Sequence, residues 1–388
     1  MRKTADVVVI GGGNAGTSTA YHLAKLGVKN VVVVEQQYTP FGGSGRCAAM
    51  FRQQFATLSN LHVAKLSTAE YDILGEETGF GDLEISKGGY LLPAYCEEDL
   101  EKCKSNVKAQ VDFGFDSYVL DAKGCKEVSP YLDVEGQGII GGSYNTGEGV
   151  INPMKVALAY KHGAQTKYDV EFNNYTTVTG IRVEGGKVKG VITDKGEIAT
   201  NCVVNAAGEW GKFIGRMAGV SIPLEPEKHQ IVVTEPLEYI KAPMIYSLYR
   251  YFTYIVQVKH GGFLMGWSDA DVEAGIIDFE PEWKFLENLA KRVIPQVPSL
   301  ANVRVIRHWA GQYGNLPDHG ILIGGVPEVE GFKLGLGATK GTMFAAGLGT
   351  LAAEAAIGAK LSVPEEFAPT YMIDRFAKGE LIIDPALL

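Results

Sequence analysis

The sequence predicts an α/β fold with a Rossmann-like nucleotide-binding unit, and three observations support this prediction. An apolar run at residues 7–10 leads directly into glycines at positions 11, 13 and 16. A second strand, glycine turn and small-residue helix follow at residues 332–358. Residues 224–268 are rich in Tyr, Phe, Val and Ile, which favours a broad antiparallel sheet. The chain is therefore expected to combine a parallel central sheet with a second, large sheet.

The first glycine turn has the spacing of a dinucleotide site. Gly11 permits a tight turn, Gly13 lets the backbone approach a pyrophosphate, and Gly16 lets the next helix pack on the strand. The N-terminus of that helix offers free N–H groups to phosphate oxygens. Glu35 ends the second valine run, 19 residues after Gly16, where an acid binds ribose hydroxyls. The alternative is a glycine-rich turn that only closes an ordinary βαβ unit.

Composition excludes several classes of function. The 388 residues carry a formal net charge of −9 and have no basic cluster, which argues against nucleic-acid binding. No apolar stretch approaches the ~20 residues that span a bilayer. Five cysteines without a CxxC pair favour a reducing, cytoplasmic location and no disulfide framework. The seven histidines show no metal-ligand spacing, so no metal is predicted.

The layout of the chain favours FAD as the dinucleotide. The fingerprint begins at residue 11, and the chain has no second true fingerprint for a separate nicotinamide cofactor. The two glycine turns stand at opposite ends of the sequence and would have to wrap around a tightly held ligand. A helix N-terminus at residues 341–343 suits the negative charge that a reduced flavin gains near N1 and its C2 carbonyl.

Five segments occur in the order typical of one group of flavoproteins. They are residues 11–16 with Glu35, residues 46–54, residues 205–210, residues 309–313 with Pro317 and Asp318, and residues 337–341. On these motifs, which span essentially the whole chain, the sequence resembles the D-amino-acid oxidase, glycine oxidase and sarcosine oxidase family. Residues 51–55, 227–230 and 375–381 are most similar to the β subunit of dye-linked L-proline dehydrogenases.

The resemblance implies two domains. A Rossmann-like FAD domain with a parallel central sheet would comprise residues 1–85, 145–215 and 305–388. A substrate domain built on a large mixed antiparallel sheet would comprise residues 86–144 and 216–304. The family oxidises a C–N bond next to a carboxylate: hydride leaves the α-carbon for flavin N5, and the resulting imine hydrolyses.

The resemblance also implies which residues hold the non-covalent FAD. Gly311 stands where relatives attach the flavin to a cysteine, so a covalent bond is not expected. The expected cofactor-binding residues are Gly11, Gly13, Asn14, Ala15, Gly16, Glu35, Gln36, Gly43, Ser44, Arg46, Cys47, Ala48, Val170, Ala207, Gly208, Trp210, Gly311, Gly337, Lys340, Gly341, Thr342 and Met343.

Three residues match catalytic positions of the family. Arg52 is expected to bind the substrate carboxylate with its planar fork, the alternative being a surface ion pair. Tyr254 is expected to lie over the substrate, the alternative being a core sheet aromatic. His229 is either a pocket residue or a satisfied sheet histidine. Phe344 and Ser268 stand where some relatives have a Lys and a His, respectively.

The electron acceptor is expected to differ from that of the family's oxidases. These oxidases place a Lys above the flavin, and the aligned position is Leu264. A dehydrogenase that passes electrons to a partner or a dye is therefore predicted, and a second subunit or an additional FMN stays open.

The substrate is not fixed by the sequence. Proline, hydroxyproline, sarcosine, dimethylglycine, a D-amino acid and an opine all fit. Two other functions stay open: an FAD-dependent 2-hydroxy acid dehydrogenase, and a non-catalytic nucleotide-binding subunit of a larger complex.

Overall fold

Two large β-sheets organise the part of the chain that the computed structural model describes, which is residues 1–48, 50–268 and 274–386. The strands are, in chain order, β1 (Val7–Ile10), β2 (Val31–Val34), β3 (Met50–Phe51), β4 (Tyr90–Ala94), β5 (Ser117–Asp121), β6 (Gly141–Asn145), β7 (Gly149–Val150), β8 (Glu171–Asn173), β9 (Val178–Glu184), β10 (Lys187–Thr193), β11 (Gly196–Ala199), β12 (Val203–Asn205), β13 (Glu225–Thr234), β14 (Met244–Ser247), β15 (Thr253–Gln257), β16 (Phe263–Trp267), β17 (Val305–Asn315), β18 (Leu322–Gly325) and β19 (Phe332–Leu336).

Helices cover one face of the first sheet, a smaller three-stranded sheet packs on its other face, and a helix packs on one face of the second sheet. The helices are α1 (Asn14–Lys25), α2 (Gly43–Arg46), α3 (Leu58–Tyr71), α4 (Leu74–Thr78), α5 (Glu97–Phe113), α6 (Ala122–Val128), α7 (Pro153–Tyr168), α8 (Gly211–Met217), α9 (Trp283–Gln296), α10 (Ala345–Ile357) and α11 (Asp374–Lys378). Among the described residues, no helix is both long enough and apolar enough to cross a membrane.

The first sheet has six strands in the order β18-β19-β12-β1-β2-β8. Its neighbours pair in parallel, except that β18 runs antiparallel to β19. Its central valines are buried on both faces: Val7 and Val9 of β1 pack into one apolar cluster, while Val8 and Ile10 pack into another. This explains why β1 and β2 are continuous apolar runs rather than alternating ones.

The second sheet has eight strands in the order β17-β13-β16-β15-β14-β4-β6-β5. It is mixed, because β14 runs parallel to β4 while its other pairs are antiparallel. One face packs against α9 through residues such as Ile245 and Phe285. The other face carries Tyr90, Met244 and Val256 toward the first sheet.

Glycine and proline lie at the ends of two elements. The strand β4 starts at Tyr90, directly after a left-handed Gly89 with φ of 85°. The helix α9 includes Pro295 in its last turn and ends at Gln296. The strands β9, β10 and β11 form a separate antiparallel sheet in the order β11-β10-β9.

The strand β17 connects the two halves of the molecule. It lies inside the segment expected to belong to the FAD domain, yet it pairs with β13 along the eight-stranded sheet. Its C-terminal residues then reach the nucleotide end of the molecule, where Gln312 and Tyr313 line a cavity. The domain limits stay a prediction: β17 begins at the limit drawn at residue 305 and pairs with a strand of the predicted substrate domain.

Candidate active site

A cavity of about 580 Å³ lies between the two sheets. One wall is formed at the C-terminal ends of β1, β2 and β12, where open parallel sheets bind their ligands. The opposite wall is the inner face of the eight-stranded sheet, represented by Met244, Tyr246 and Tyr254. One cavity is therefore lined on one side by the glycine turns of the first sheet, here called the nucleotide wall, and on the other by the second sheet, here called the substrate wall.

The glycine turn is shaped so that only glycine fits at two positions. Gly11 has a φ of 110°, and a Cβ there would lie 2.5 Å from the carbonyl oxygen of Ala206. A Cβ on Gly16 would lie 2.0 Å from the carbonyl oxygen of Gly11, so this glycine brings α1 against the turn. This cradle suits a pyrophosphate at the start of α1 and therefore fits a dinucleotide.

Glu35 is buried at the end of β2 and lines the cavity beside Gln36. Its carboxylate accepts hydrogen bonds from the backbone N–H of Gly12 at 2.7 Å and of Gln37 at 2.8 Å. Burial raises the pKa of this carboxyl, and the two hydrogen bonds oppose the shift. Glu35 thus fixes the shape of the glycine turn and still has lone pairs for ribose hydroxyls.

The two glycine turns from opposite ends of the chain touch each other. Asn14 Nδ2 donates to Thr342 Oγ1 at 2.9 Å, and Cys47 Sγ lies 3.2 Å from the same oxygen. The Tyr71 hydroxyl donates to the Thr342 carbonyl. These contacts fix the segment before α10 against the start of α1, as expected for a ligand enclosed by both termini.

Lys340 is a buried cation in the second glycine turn and lines the cavity. Its Nζ donates to the backbone carbonyl of His319. Burial lowers the pKa of Lys340 to about 7; the charge of Arg52 adds to this shift, and the charge of Asp384 opposes it.

Arg52 lies on the substrate wall and is only 3% exposed. Its Cζ lies 4.4 Å from the centre of the Phe55 ring and 5.6 Å from that of Tyr246. Within the described residues, its Nε and Nη2 have no hydrogen-bond partner and no carboxylate lies within ion-pair distance. The surface ion pair considered above is therefore not formed by any described residue, and no described residue accepts from these two donors of the cavity-lining guanidinium.

Glu148 supports the segment that carries Arg52. Its carboxylate accepts hydrogen bonds from the backbone N–H groups of Gln53 and Gln54, and from Gln54 Nε2 at 2.8 Å. Burial raises the pKa of Glu148 to about 7, and its hydrogen bonds and Arg52 oppose that shift. Sequence reasoning missed this residue, since nothing local marks an acid between two glycines as a buried acceptor.

His229 lines the cavity in a hydrogen-bonded group on β13 and β17. Its Nε2 lies 2.9 Å from Glu227 Oε1, and its ring centre lies 4.0 Å from that of Tyr313. Asn315 Nδ2 donates to Glu227, and Asn315 Oδ1 lies 3.1 Å from His319 Nδ1. The hydrogen bond from His229 lowers the pKa of Glu227, so an ionised acid orients the imidazole.

Tyr254 and Ser268 line the cavity, and Leu264 packs on the same face of the sheet. A Cβ on Gly266 would lie 2.2 Å from the Tyr254 hydroxyl oxygen, so a glycine opposite Tyr254 leaves room for its ring. Phe344 is fully buried against Phe55, at 5.0 Å between ring centres, and belongs to the core.

Most of the expected site residues line the cavity together. On the cofactor side these are Gly11, Gly13, Ala15, Glu35, Gln36, Gly43, Ser44, Cys47, Ala48, Ala207, Gly208, Trp210, Gly337, Lys340, Gly341, Thr342 and Met343. On the substrate side, Arg52, Tyr254 and His229 line it as well.

Five expected cofactor residues are placed elsewhere. Asn14 and Gly16 lie just behind the glycine turn, in the contacts described above. Arg46 stacks its guanidinium over Phe41 and Phe279, at 4.3 and 4.2 Å from the ring centres. A Cβ on Gly311 would lie 3.0 Å from Arg46 Cβ. Val170 is in an apolar core cluster.

Other lining residues were missed by sequence reasoning. The cavity wall beyond the C-terminal end of β8 is lined by Thr176, Thr177 and Val178, whereas Val170, before this strand, does not line it. The rule that parallel strands present ligands at their C-terminal ends could have found them. Glu209 and Tyr313 also line the cavity and fall inside two of the family motifs, whereas four further lining residues had no comparable local signal: Phe213, Met244, Tyr246 and Tyr90.

Comparison with known proteins gives one consistent result. A sequence model of the family described as DAO, FAD dependent oxidoreductase, matches residues 6–355. Human mitochondrial sarcosine dehydrogenase is 31% identical over 97% of the chain, and the match spans 42% of that protein's length. Sarcosine oxidase subunit beta of Rhizobium meliloti is 28% identical over 97% of this chain and 89% of its own.

A solved structure extends the comparison to three dimensions. L-proline dehydrogenase from P. horikoshii superposes with a TM-score of 0.91 at 33% sequence identity, covering 98% of this chain and 100% of that one. The fold described above is therefore shared along nearly its whole length.

Proposed function

Since the chain belongs to the DAO family of FAD-dependent oxidoreductases, we propose that it oxidises the C–N bond of a small amino or imino acid. The substrate class includes proline, sarcosine and glycine, and electrons pass to a partner protein or a dye rather than efficiently to oxygen. The relatives named above as dehydrogenases of sarcosine and proline support this class.

One observation carries the proposal: Arg52 is buried on the cavity wall with Nε and Nη2 unpartnered among the described residues. A buried guanidinium needs an anion, because desolvating a charge without compensation is costly. A substrate carboxylate matches the fork bidentately and would hold the α-carbon at a fixed place in the cavity.

The remaining roles follow from the walls of the cavity. FAD, when bound, supplies the hydride acceptor. The turn at residues 11–16 and Glu35 would hold its ADP half, and the turn at residues 337–343 would lie at the other end. Tyr246, Tyr254 and Met244 would exclude water from the reacting carbon, which strengthens the pairing of Arg52 with the carboxylate.

Leu264 is the residue that favours an electron acceptor other than oxygen. This side chain packs on the cavity face of the sheet beside Tyr254, so it adds apolar surface rather than positive charge. Reduced enzyme mixed with air-saturated buffer in a stopped-flow instrument is expected to reoxidise slowly. Rapid reoxidation would show that oxygen is an efficient acceptor and would overturn this part of the proposal.

A second candidate, oxidation of a 2-hydroxy acid, is favoured by one observation. A hydroxyl substrate needs a base, and His229 with Glu227 has the arrangement of an oriented base on the cavity wall. The first candidate needs only a deprotonated amine and makes no such demand.

An anaerobic screen of the purified yellow protein distinguishes these functions. L-proline, sarcosine, dimethylglycine, glycine and D-alanine are compared with L-lactate and 2-hydroxyglutarate, and the flavin absorbance is followed. Bleaching by at least one amino acid and by neither hydroxy acid is expected. Bleaching by the hydroxy acids alone would favour the second candidate, and bleaching by none would indicate a non-catalytic subunit.

A further inference from the structure

Tyr90 is a buried hydrogen-bond donor on the cavity wall. It is 1% exposed, lines the same cavity as Arg52, and its hydroxyl has no hydrogen-bond partner among the described residues. Within that part of the chain, the cavity-lining side chains with buried, unpartnered donors are Arg52, through Nε and Nη2, and Tyr90.

Tyr90 and Arg52 are fixed to the same buried polar group. Gln54, two residues after Arg52, donates from Nε2 to the Tyr90 carbonyl at 3.1 Å and to Glu148 at 2.8 Å. Ser143 donates to Gln54 Oε1 at 2.7 Å. The backbone of Tyr90 is therefore tied to the segment that carries Arg52.

The sheet directs Tyr90 toward the substrate wall. Tyr90 pairs in register with Met244, the first residue of β14, and Tyr246 follows two residues later on the same face. Both Met244 and Tyr246 line the cavity, and the Tyr246 ring lies beside the Arg52 guanidinium. Tyr90 thus stands in the row of side chains that surrounds Arg52.

The phenol keeps its proton at neutral pH. Burial raises the pKa of Tyr90 well above its usual value, Glu148 adds to the shift, and Arg52 opposes it. A neutral phenol donates one hydrogen bond. The hydrogen bonds that a hydroxyl donates are shortest and strongest when the accepting oxygen is ionised.

We propose that Tyr90 is a specificity-determining residue that donates to the substrate carboxylate beside the Arg52 fork. This assignment rests on the proposed function and deepens it: the site takes a small acid with a free, unesterified carboxylate. The amine is the less suitable acceptor, because its lone pair must form the C=N bond as hydride leaves, and a donor held on that lone pair would oppose the reaction.

The test measures binding of carboxylates that carry no amine. Oxidised holoenzyme is titrated with propionate, cyclopentanecarboxylate and benzoate, and with cyclopentanecarboxamide as the uncharged counterpart, by the change in flavin absorbance. Wild type is expected to bind at least one of the acids and to prefer cyclopentanecarboxylate to its amide. Failure of all three acids to bind would overturn the assignment.

Tyr90→Phe is expected to weaken carboxylate binding about tenfold and to leave amide binding within about twofold, since one charge-assisted hydrogen bond is lost. Tyr131→Phe is the matched control, because Tyr131 donates to the Pro243 carbonyl at 2.9 Å and packs on the opposite face of the same sheet. That variant is expected to bind the acids like wild type.

Two results would contradict the assignment: unchanged carboxylate binding in Tyr90→Phe, or an equal loss for acid and amide, which would indicate a structural role. The outcome is separable from the proposed function. If no amino acid bleaches the flavin but Tyr90→Phe still weakens acid binding selectively, the proposed reaction fails and the carboxylate site stands.

Discussion

Two buried arginines in this molecule differ in what surrounds the same edge of the guanidinium, the one formed by Nε and Nη2. Arg375, 1% exposed, donates from Nε and Nη2 to the two oxygens of Asp318 at 2.7 and 3.0 Å. Arg52, 3% exposed, has no partner for the same two atoms among the described residues. Asp318 supplies a carboxylate to Arg375, whereas no described residue supplies one to Arg52, where we propose that a ligand does.

Lys340 completes the comparison as a buried cation with a neutral partner. Its Nζ donates a hydrogen bond to the His319 carbonyl, which satisfies a donor of the ammonium group but does not balance its charge. Its pKa falls to about 7 because of burial. Asp318 shows the opposite: burial would raise its pKa, but the hydrogen bonds and charge of Arg375 hold it below the usual value.

The largest expected effect comes from removing the satisfied arginine. Arg375→Met leaves Asp318 buried without its cation, and breaking a buried ion pair in this way costs about 3–5 kcal/mol. Urea unfolding of the holoprotein should show this loss in the free energy of unfolding. Asp318→Asn with Arg375→Met should recover part of it, and a single variant as stable as wild type would show that the pair is not needed.

Removing the unpartnered arginine should have a smaller and different effect. Arg52→Met deletes a buried charge that no described residue neutralises, so the free energy of unfolding is expected to change by less than about 1 kcal/mol. KM for the amino acid should rise, because ~1.5–3 kcal/mol of binding free energy is lost with the charged hydrogen-bond partner, while FAD stays bound. An unchanged kcat/KM would clear Arg52 of the proposed role.

The effect expected from Lys340→Met depends on pH. The pKa of Lys340 is about 7 when folded, and an unfolded lysine has a pKa of about 10.4. Between these values the unfolded chain binds more protons, so the wild type should gain stability relative to the variant as pH rises. Melting temperatures at pH 7 and 9 test this; a constant difference would show that Lys340 stays protonated.

The nucleotide wall could be predicted from sequence because its signals are local. Gly11, Gly16 and Glu35 lie within one βαβ unit, and each has a steric or hydrogen-bonding role that its residue type alone can fill. The second turn, at residues 337–343, follows the same logic. Because both glycine turns were expected to bind one ligand, they were also expected to lie close together, and the hydrogen bond between Asn14 and Thr342 joins them.

The substrate wall could be predicted only in part. Arg52 was found through a family motif, whereas Tyr90 and Glu148 had no local signal. Tyr90 lines the cavity because β4 pairs with β14 some 150 residues away, and no periodicity reports that pairing. Val170, directly before β8, was expected to contact the cofactor. The residues that line the cavity here are instead 176–178, beyond the C-terminal end of β8.

A crystal structure of the holoenzyme with cyclopentanecarboxylate bound would show directly whether Arg52 and Tyr90 hold a carboxylate. We predict one carboxylate within hydrogen-bond distance of Arg52 Nε and Nη2 and of the Tyr90 hydroxyl, in the geometry that Arg375 makes with Asp318. A carboxylate held by another cation, or an Arg52 fork turned onto an acidic side chain of the protein, would contradict the account.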